Sequence, residues 1–239
     1  MQSKTKIALG FILFLFGLIL AQAVAIAIFW PDMEANLFDQ SLAFEDSLRT
    51  LRCPVLLSRA ETADISARFT NSTDRQTSFF VRTHISEGNI SAMREFQELV
   101  ELEAGETVVK RWDVSPSDAA FGSLVMARVA TLRRPGLAPR DAACGILVLP
   151  FSGISGQLVL AAAILISLGS MAGGGVVWLQ EKRPLRRHDR SQAIAMGMLA
   201  SLITFDLVIS LLSYWTLGLI ILILTFLLMG ALLDRFVPH

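Results

Sequence analysis

The run IALGFILFLFGLILAQAVAIAIFW, residues 7–30, carries one side chain that demands a hydrogen bond before its closing tryptophan, Gln22. At 1.5 Å rise per residue it reaches about 36 Å as a helix, enough to cross a hydrocarbon core of about 30 Å. Three further apolar runs follow, at 158–179, 193–212 and 217–233. They bracket a polar block between residues 31 and 156 that is long enough for one folded domain. The distribution predicts an α+β membrane protein, a four-helix transmembrane bundle with one extracytoplasmic domain inserted between the first and second spans. The boundaries read 1–30 for the first span, 31–52 for an amphipathic neck, 53–152 for the domain and 157–179 for the second span. A basic loop at 180–191, a third span at 192–212 and a fourth at 216–235 complete the chain.

Orientation follows from charge. Lys4 and Lys6 precede the first run, and Lys182, Arg183, Arg186, Arg187 and Arg190 crowd the loop between the second and third. Arg235 follows the fourth. Basic residues beside spans mark the cytoplasmic side, so both termini are expected inside and the large block outside. Trp30, Tyr214 and Trp215 suit an outer interfacial belt, and Trp178 an inner one. Small residues at 21–23 and 25–27 also resemble a signal cleavage site; in that alternative three spans remain and the domain stays outside. The external block holds 17 acidic and 13 basic residues, a balance of −4, which argues against nucleic acid as a partner. The expected setting is the cytoplasmic membrane of a prokaryote.

The two cysteines, Cys53 and Cys144, stand near the ends of the external block. In an oxidising compartment an even pair placed this way reads as a disulfide, the alternative being two buried thiols. Between them Ile65, Ala67 and Phe69 alternate with Ser66, Arg68 and Thr70, one strand with a buried and a wet face. Phe79, Val81 and Ile85 give a second strand, residues 96–102 a third, and Val108, Trp112 and Val114 a fourth inward face. Residues 124–131 and 145–149 close the series. About seven short strands with turn residues between them predict an antiparallel β-sandwich. Before Cys53, Met33, Leu37, Phe38, Leu48 and Leu51 recur at near-helical spacing, and Pro31 suits the first turn of a new helix.

Residues 65–74, reading ISARFTNSTD, with Phe79-Phe80-Val81, the turn around Ala104-Gly105-Glu106 and Trp112-Asp113-Val114, resemble bacterial immunoglobulin-like surface domains of the CARDB type. The resemblance covers about 60 residues and implies an Ig-like sandwich, not an activity; the cysteine pair is not part of that pattern.

No constellation for chemistry emerges, and the expectation is no catalytic residue, no cofactor and no metal site. Of the three histidines only His84 lies in the external block, where its position beside inward Ile85 predicts an exposed strand histidine. Asn71 and Asn89 begin glycosylation triplets. Within the membrane Asp206 is the costly residue, because an unpaired carboxylate there is expensive. Counting from the belts puts Gln22, Ser167, Asp206 and Thr225 at similar depth, predicting a shared polar layer of interhelical hydrogen bonds. Gly169, Gly173, Gly174 and Gly197 fall in small-residue spacings that favour close helix packing. The functional expectation is a non-catalytic accessory or structural subunit, in contact with membrane lipids and other membrane protein subunits, whose external domain contacts a protein or a surface component. The alternatives are a small transporter or channel component using Asp206, and an enzyme subunit sharing its site with a partner.

Overall fold

A computed structural model describes residues 2–132 and 138–234. Arg235, His239 and the side chain of His188 lie outside the described residues. The chain divides into two units, Met1–Phe29 with Val159–His239, and Trp30–Leu158.

The first unit is built from the four apolar helices: α1 (Gln2–Leu37, whose last turns belong to the second unit), α2 (Gly156–Glu181), α3 (Arg187–Leu211) and α4 (Trp215–Asp234). Three stretches, Lys4–Leu37, Gly156–Glu181 and Asp189–Leu211, are long and apolar enough to cross a membrane. The fourth helix, α4, is 20 residues long, with Trp215–Ala231 as its apolar stretch. Large apolar side chains such as Phe16, Leu165, Phe205 and Leu227 stand exposed on the helices, a surface suited to hydrocarbon and not to water. Trp178 is buried, with the Lys182 ammonium 5.6 Å from its ring centre.

Backbone-to-backbone contact joins α1 to α2. A Cβ added to Gly17 would lie 2.5 Å from the Ser167 carbonyl oxygen, and one added to Gly174 would lie 2.4 Å from the Phe14 nitrogen. Gly10 meets Gly174 in the same seam. Of the four glycines expected to pack, only Gly174 does so in this way. Gly169 and Gly197 have nothing within 4 Å of a built Cβ, and Gly173 has only the end of Leu13 at 3.9 Å. The partner surface is set by Gly10 and Gly17, seven residues apart on α1, which select one stripe of α2. Gly17→Ala is therefore expected to destabilise the bundle by about 1–3 kcal/mol, because overpacking against backbone has no flexible side chain to yield. Gly169→Ala should change little. Detergent unfolding of both variants checks this, and equal stabilities would refute the seam.

In the second unit nine strands among the described residues form two sheets: β1 (Asp46–Ser47), β2 (Leu51–Arg52), β3 (Leu56–Ser58), β4 (Ala63–Thr70), β5 (Thr77–Glu87), β6 (Asn89–Leu102), β7 (Thr107–Val114), β8 (Leu124–Leu132) and β9 (Arg140–Leu149). One sheet runs β1-β9-β8-β5-β6 with β3 also on β9; the other runs β2-β4-β7. Ile65, Ala67 and Phe69 from β4 and Trp112 and Val114 from β7 share a core with Val81, Ile85, Val125, Val129 and Ile146 of the larger sheet. The alternation read from β4 thus points its apolar set inward. The β5–β6 hairpin is longer than its apolar positions suggested, because Gly88 at φ +70° supplies the turn and polar residues continue the ladder on both sides.

The neck is not a separate helix. α1 continues through Pro31 to Leu37, although the proline leaves one carbonyl of the preceding turn without its donor. Its last turns cover the outer face of the larger sheet, where Ala35 and Phe38 pack on Ala120, Leu124 and Met126. Gly145 permits this approach, since a Cβ there would overlap the Pro31 carbonyl at 1.9 Å. The Asp32 carboxylate accepts the Gly145 N–H at 3.0 Å, between the stretches of β9 that β1 and β3 pair.

Candidate functional site

The outer face of the β2-β4-β7 sheet is uncovered within its unit and carries a cavity of about 180 Å³ lined by Arg49, Thr50, Arg52, Ser66, Arg68 and Val109. The sheet register builds it. Arg52 pairs with Ser66, Ser66 with Arg111, and Arg68 with Val109, so their side chains share the outward face while Ile65, Ala67 and Phe69 point to the core. The Thr50 hydroxyl donates to the Arg68 carbonyl at 2.6 Å, and Leu48 is anchored in the core, which fixes the turn carrying Arg49. Among the described residues no carboxylate stands within ion-pair distance of Arg49, Arg52 or Arg68. In a domain with an acidic surplus, three guanidinium groups left together without a carboxylate form a positive recess. Ser66 and Arg68 were legible as the wet face of β4. Arg49 and Arg52 were not, because their place depends on the two-residue strand β2 pairing at Leu51 and Ala67.

Beneath the end of α1 lies a second polar cluster. Arg128 is 2% exposed and donates from Nε to the Phe38 carbonyl at 2.9 Å, from Nη1 to Asp141 at 2.7 Å and from Nη2 to the Asn36 carbonyl at 2.6 Å. His84, expected to be exposed, is buried instead, its Nδ1 2.5 Å from Asp39 and its Nε2 3.7 Å from Glu95. The strand reading failed because the chain after α1 closes the second face of the sheet. Burial opposes the charge on Asp39, but hydrogen bonds from Ser41 and His84 with the His84 charge outweigh it, holding the carboxyl below its usual range. Glu61 is held low as well, chiefly by the Gly156 N–H at 2.8 Å against the cost of burial, with the Ser58 N–H at 3.0 Å adding to it. It thereby places a negative charge at the first residue of α2. Every member of this cluster is committed to a structural contact, which separates it from the open recess of arginines. Asn71 is committed too: its amide nitrogen donates to the carbonyls of Arg75, Leu102 and Glu103.

In the bundle, Gln22, Ser167, Asp206 and Thr225 are all buried, as their depth suggested. The expected hydrogen-bonded layer does not form. Ser167 donates to Ile164 and Thr225 to Ile221, each on its own helix at 2.8 Å, a bond that spends the hydroxyl proton locally. Both oxygens of Asp206, the Gln22 amide nitrogen and the Ser210 hydroxyl lack a hydrogen-bond partner among the described residues. Gly218, unremarked in the sequence, makes room for Ser210 and Asp206: a Cβ there would lie 2.9 Å from Ser210 Oγ and 3.4 Å from Asp206 Oδ1.

Cys53 and Cys144 are joined, their sulfurs 1.95 Å apart and Cα atoms 6.5 Å apart. The pair connects the end of β2 to β9, hence one sheet to the other. In the basic loop Lys182 pairs with Asp189 at 2.7 Å, while Arg183, Arg186, Arg187 and Arg190 have no carboxylate within ion-pair distance among the described residues.

No protein-family model matches the chain, and no curated protein matches it. Among solved structures it is similar to a β-glucosidase from Listeria innocua in complex with glucose, at 15% identity and a TM-score of 0.31 over 43% of this chain. A β-glucosidase from Erythrobacter marinus is similar at 17% identity and a TM-score of 0.28 over 39%. The chain spans 15% and 14% of the lengths of those two proteins.

Proposed function

We propose that this chain is a non-catalytic multipass protein of a prokaryotic cytoplasmic membrane, an accessory or structural subunit whose external Ig-like domain contacts a protein or surface component. Both termini face the cytoplasm in this reading, and the basic loop beside Arg187 sits there with them. Support for the Ig-like assignment comes from strand order: β2-β4-β7 corresponds to A-B-E and β9-β8-β5-β6 to G-F-C-C′ of a variable-type sandwich. The CARDB-type resemblance is consistent with that order. The disulfide departs from the usual B–F position, since it links the A and G positions.

The observation that carries the functional reading is the contrast between the two outer faces of the external unit. One is closed by the end of α1 and the buried polar groups beneath it; the other presents the arginine-lined recess to solvent. Such a domain is built to be held on one side and to bind on the other.

A transporter or channel component is the second reading, favoured by the two oxygens of Asp206 and the Ser210 hydroxyl, which lack a hydrogen-bond partner among the described residues. One preparation separates the two. Tagged protein purified in mild detergent is expected to bring other membrane subunits in fixed stoichiometry, equally from the wild type and Asp206→Asn. A chain that purifies alone, and whose ion flux in proteoliposomes is abolished by Asp206→Asn, would replace the accessory reading with the transport one.

A further inference from the structure

We propose that the recess on the β2-β4-β7 sheet is a binding site for an oxyanion group, a phosphate or carboxylate, held by Arg49, Arg52 and Arg68. The inference rests on the reading of the external domain as a binding module and names the chemistry of what it binds. Guanidinium groups present paired N–H donors in a plane that matches the two oxygens of a carboxylate or phosphate. Three arginines lining one concavity supply more donors than one oxyanion can use, even with Arg52 Nη1 also donating to the Leu51 carbonyl at 3.4 Å.

The surroundings add to this. Ser66 lines the recess between Arg52 and Arg111 in the sheet register, with a hydroxyl able to donate. Val109 gives an apolar wall that suits the carbon skeleton bearing the charged group. The acidic pair Asp64 and Asp113, opposite each other across β4 and β7, lies one step further along the outward face, with Arg111 between it and the recess. The backbone beneath is fixed in advance by the Thr50 bond to Arg68, by Leu48 in the core and by the Cys53 bridge. A preorganised site loses less freedom on binding than one assembled around its ligand.

Both a free anion and a lipid headgroup present this chemistry. The test uses the full chain in nanodiscs and inorganic phosphate as the probe, read by calorimetric titration at low salt. In phosphatidylcholine nanodiscs the wild type is expected to bind phosphate saturably at one site. The Arg52→Gln/Arg68→Gln variant should bind at least about tenfold more weakly, as expected for removing two charge-assisted contacts. Arg49→Gln is an independent variant expected to weaken binding in the same direction, while Arg82→Gln, on the other sheet, should leave it unchanged. Repeating the titration in phosphatidylglycerol nanodiscs distinguishes the sources: weakened phosphate binding there identifies the headgroup as occupant, and unchanged binding a free anion. Absence of saturable binding by the wild type, or equal binding by wild type and the double variant with unchanged melting temperature, would overturn the site. That failure would leave the stoichiometric partners untouched, so it is separable from failure of the accessory reading.

Discussion

Replacing Cys144 by alanine is expected to destabilise the external domain by roughly 4 to 5 kcal/mol, close to the upper end of what single disulfides contribute. The magnitude follows from the 91-residue separation of Cys53 and Cys144, since freeing a loop that long restores much conformational entropy to the unfolded chain. The location amplifies the local consequence. β2 is two residues long and pairs with β4 at only Leu51–Ala67 and Arg52–Ser66, so the adjoining bridge is its principal tether. Loss of the bridge should therefore raise hydrogen exchange first in residues 48–53, and weaken phosphate binding before the sandwich unfolds. Denaturant titration of the full chain in detergent, with exchange mapped by mass spectrometry, measures both. Equal midpoints for wild type and variant, or free thiols in protein from its native membrane, would contradict the expectation.

What the sequence could reveal divides along physical lines. Local periodicity was enough for β4, β7 and the apolar helices, because a residue's face in a strand or its place in a hydrophobic run depends on its immediate neighbours. The cover on the second face of the larger sheet depended on a distant segment and was missed, yet it left a trace. In β8 the outward Leu124 and Met126 are apolar along with the inward Val125, Ala127 and Val129, the mark of a strand buried on both faces. In β9 the outward residues Ala143 and Gly145 are small, as a closely applied helix requires. Read together, these would have moved His84 from the solvent to the interior. The packing glycines were misassigned for a related reason: a small-residue spacing marks a stripe that can be approached, but Gly10 and Gly17 on the partner decide which stripe is. The recess was half legible: Ser66 and Arg68 follow from the alternation of β4, whereas Arg49 and Arg52 are placed by the pairing of β2, which only tertiary contacts define.

Arg128→Met is expected to cost about 3–5 kcal/mol, the range for breaking a buried ion pair by removing one partner. Methionine fills much of the same space, so the loss is of hydrogen bonds and charge more than of volume. Asp141 would keep the Phe44 N–H at 2.9 Å but lose the guanidinium that balances it in the interior. The Phe38 carbonyl would lose its donor too, while the Asn36 carbonyl would keep only the Gln40 amide. These lie at the C-terminal end of α1, where unsatisfied carbonyls and the helix dipole both favour a cation, so Arg128 serves as the terminal cap of this helix as well as the partner of Asp141. The two roles can be separated. Adding Asp141→Leu removes the stranded carboxylate but cannot restore the cap, so the double variant should recover at least about 1 kcal/mol relative to Arg128→Met without reaching the wild type. Denaturant midpoints of the four proteins give the coupling, and hydrogen exchange in residues 33–38 reports the cap. Strictly additive effects, or a loss below about 1 kcal/mol for Arg128→Met, would show that the end of α1 is held by apolar packing on Leu124 and Met126 and not by this cluster.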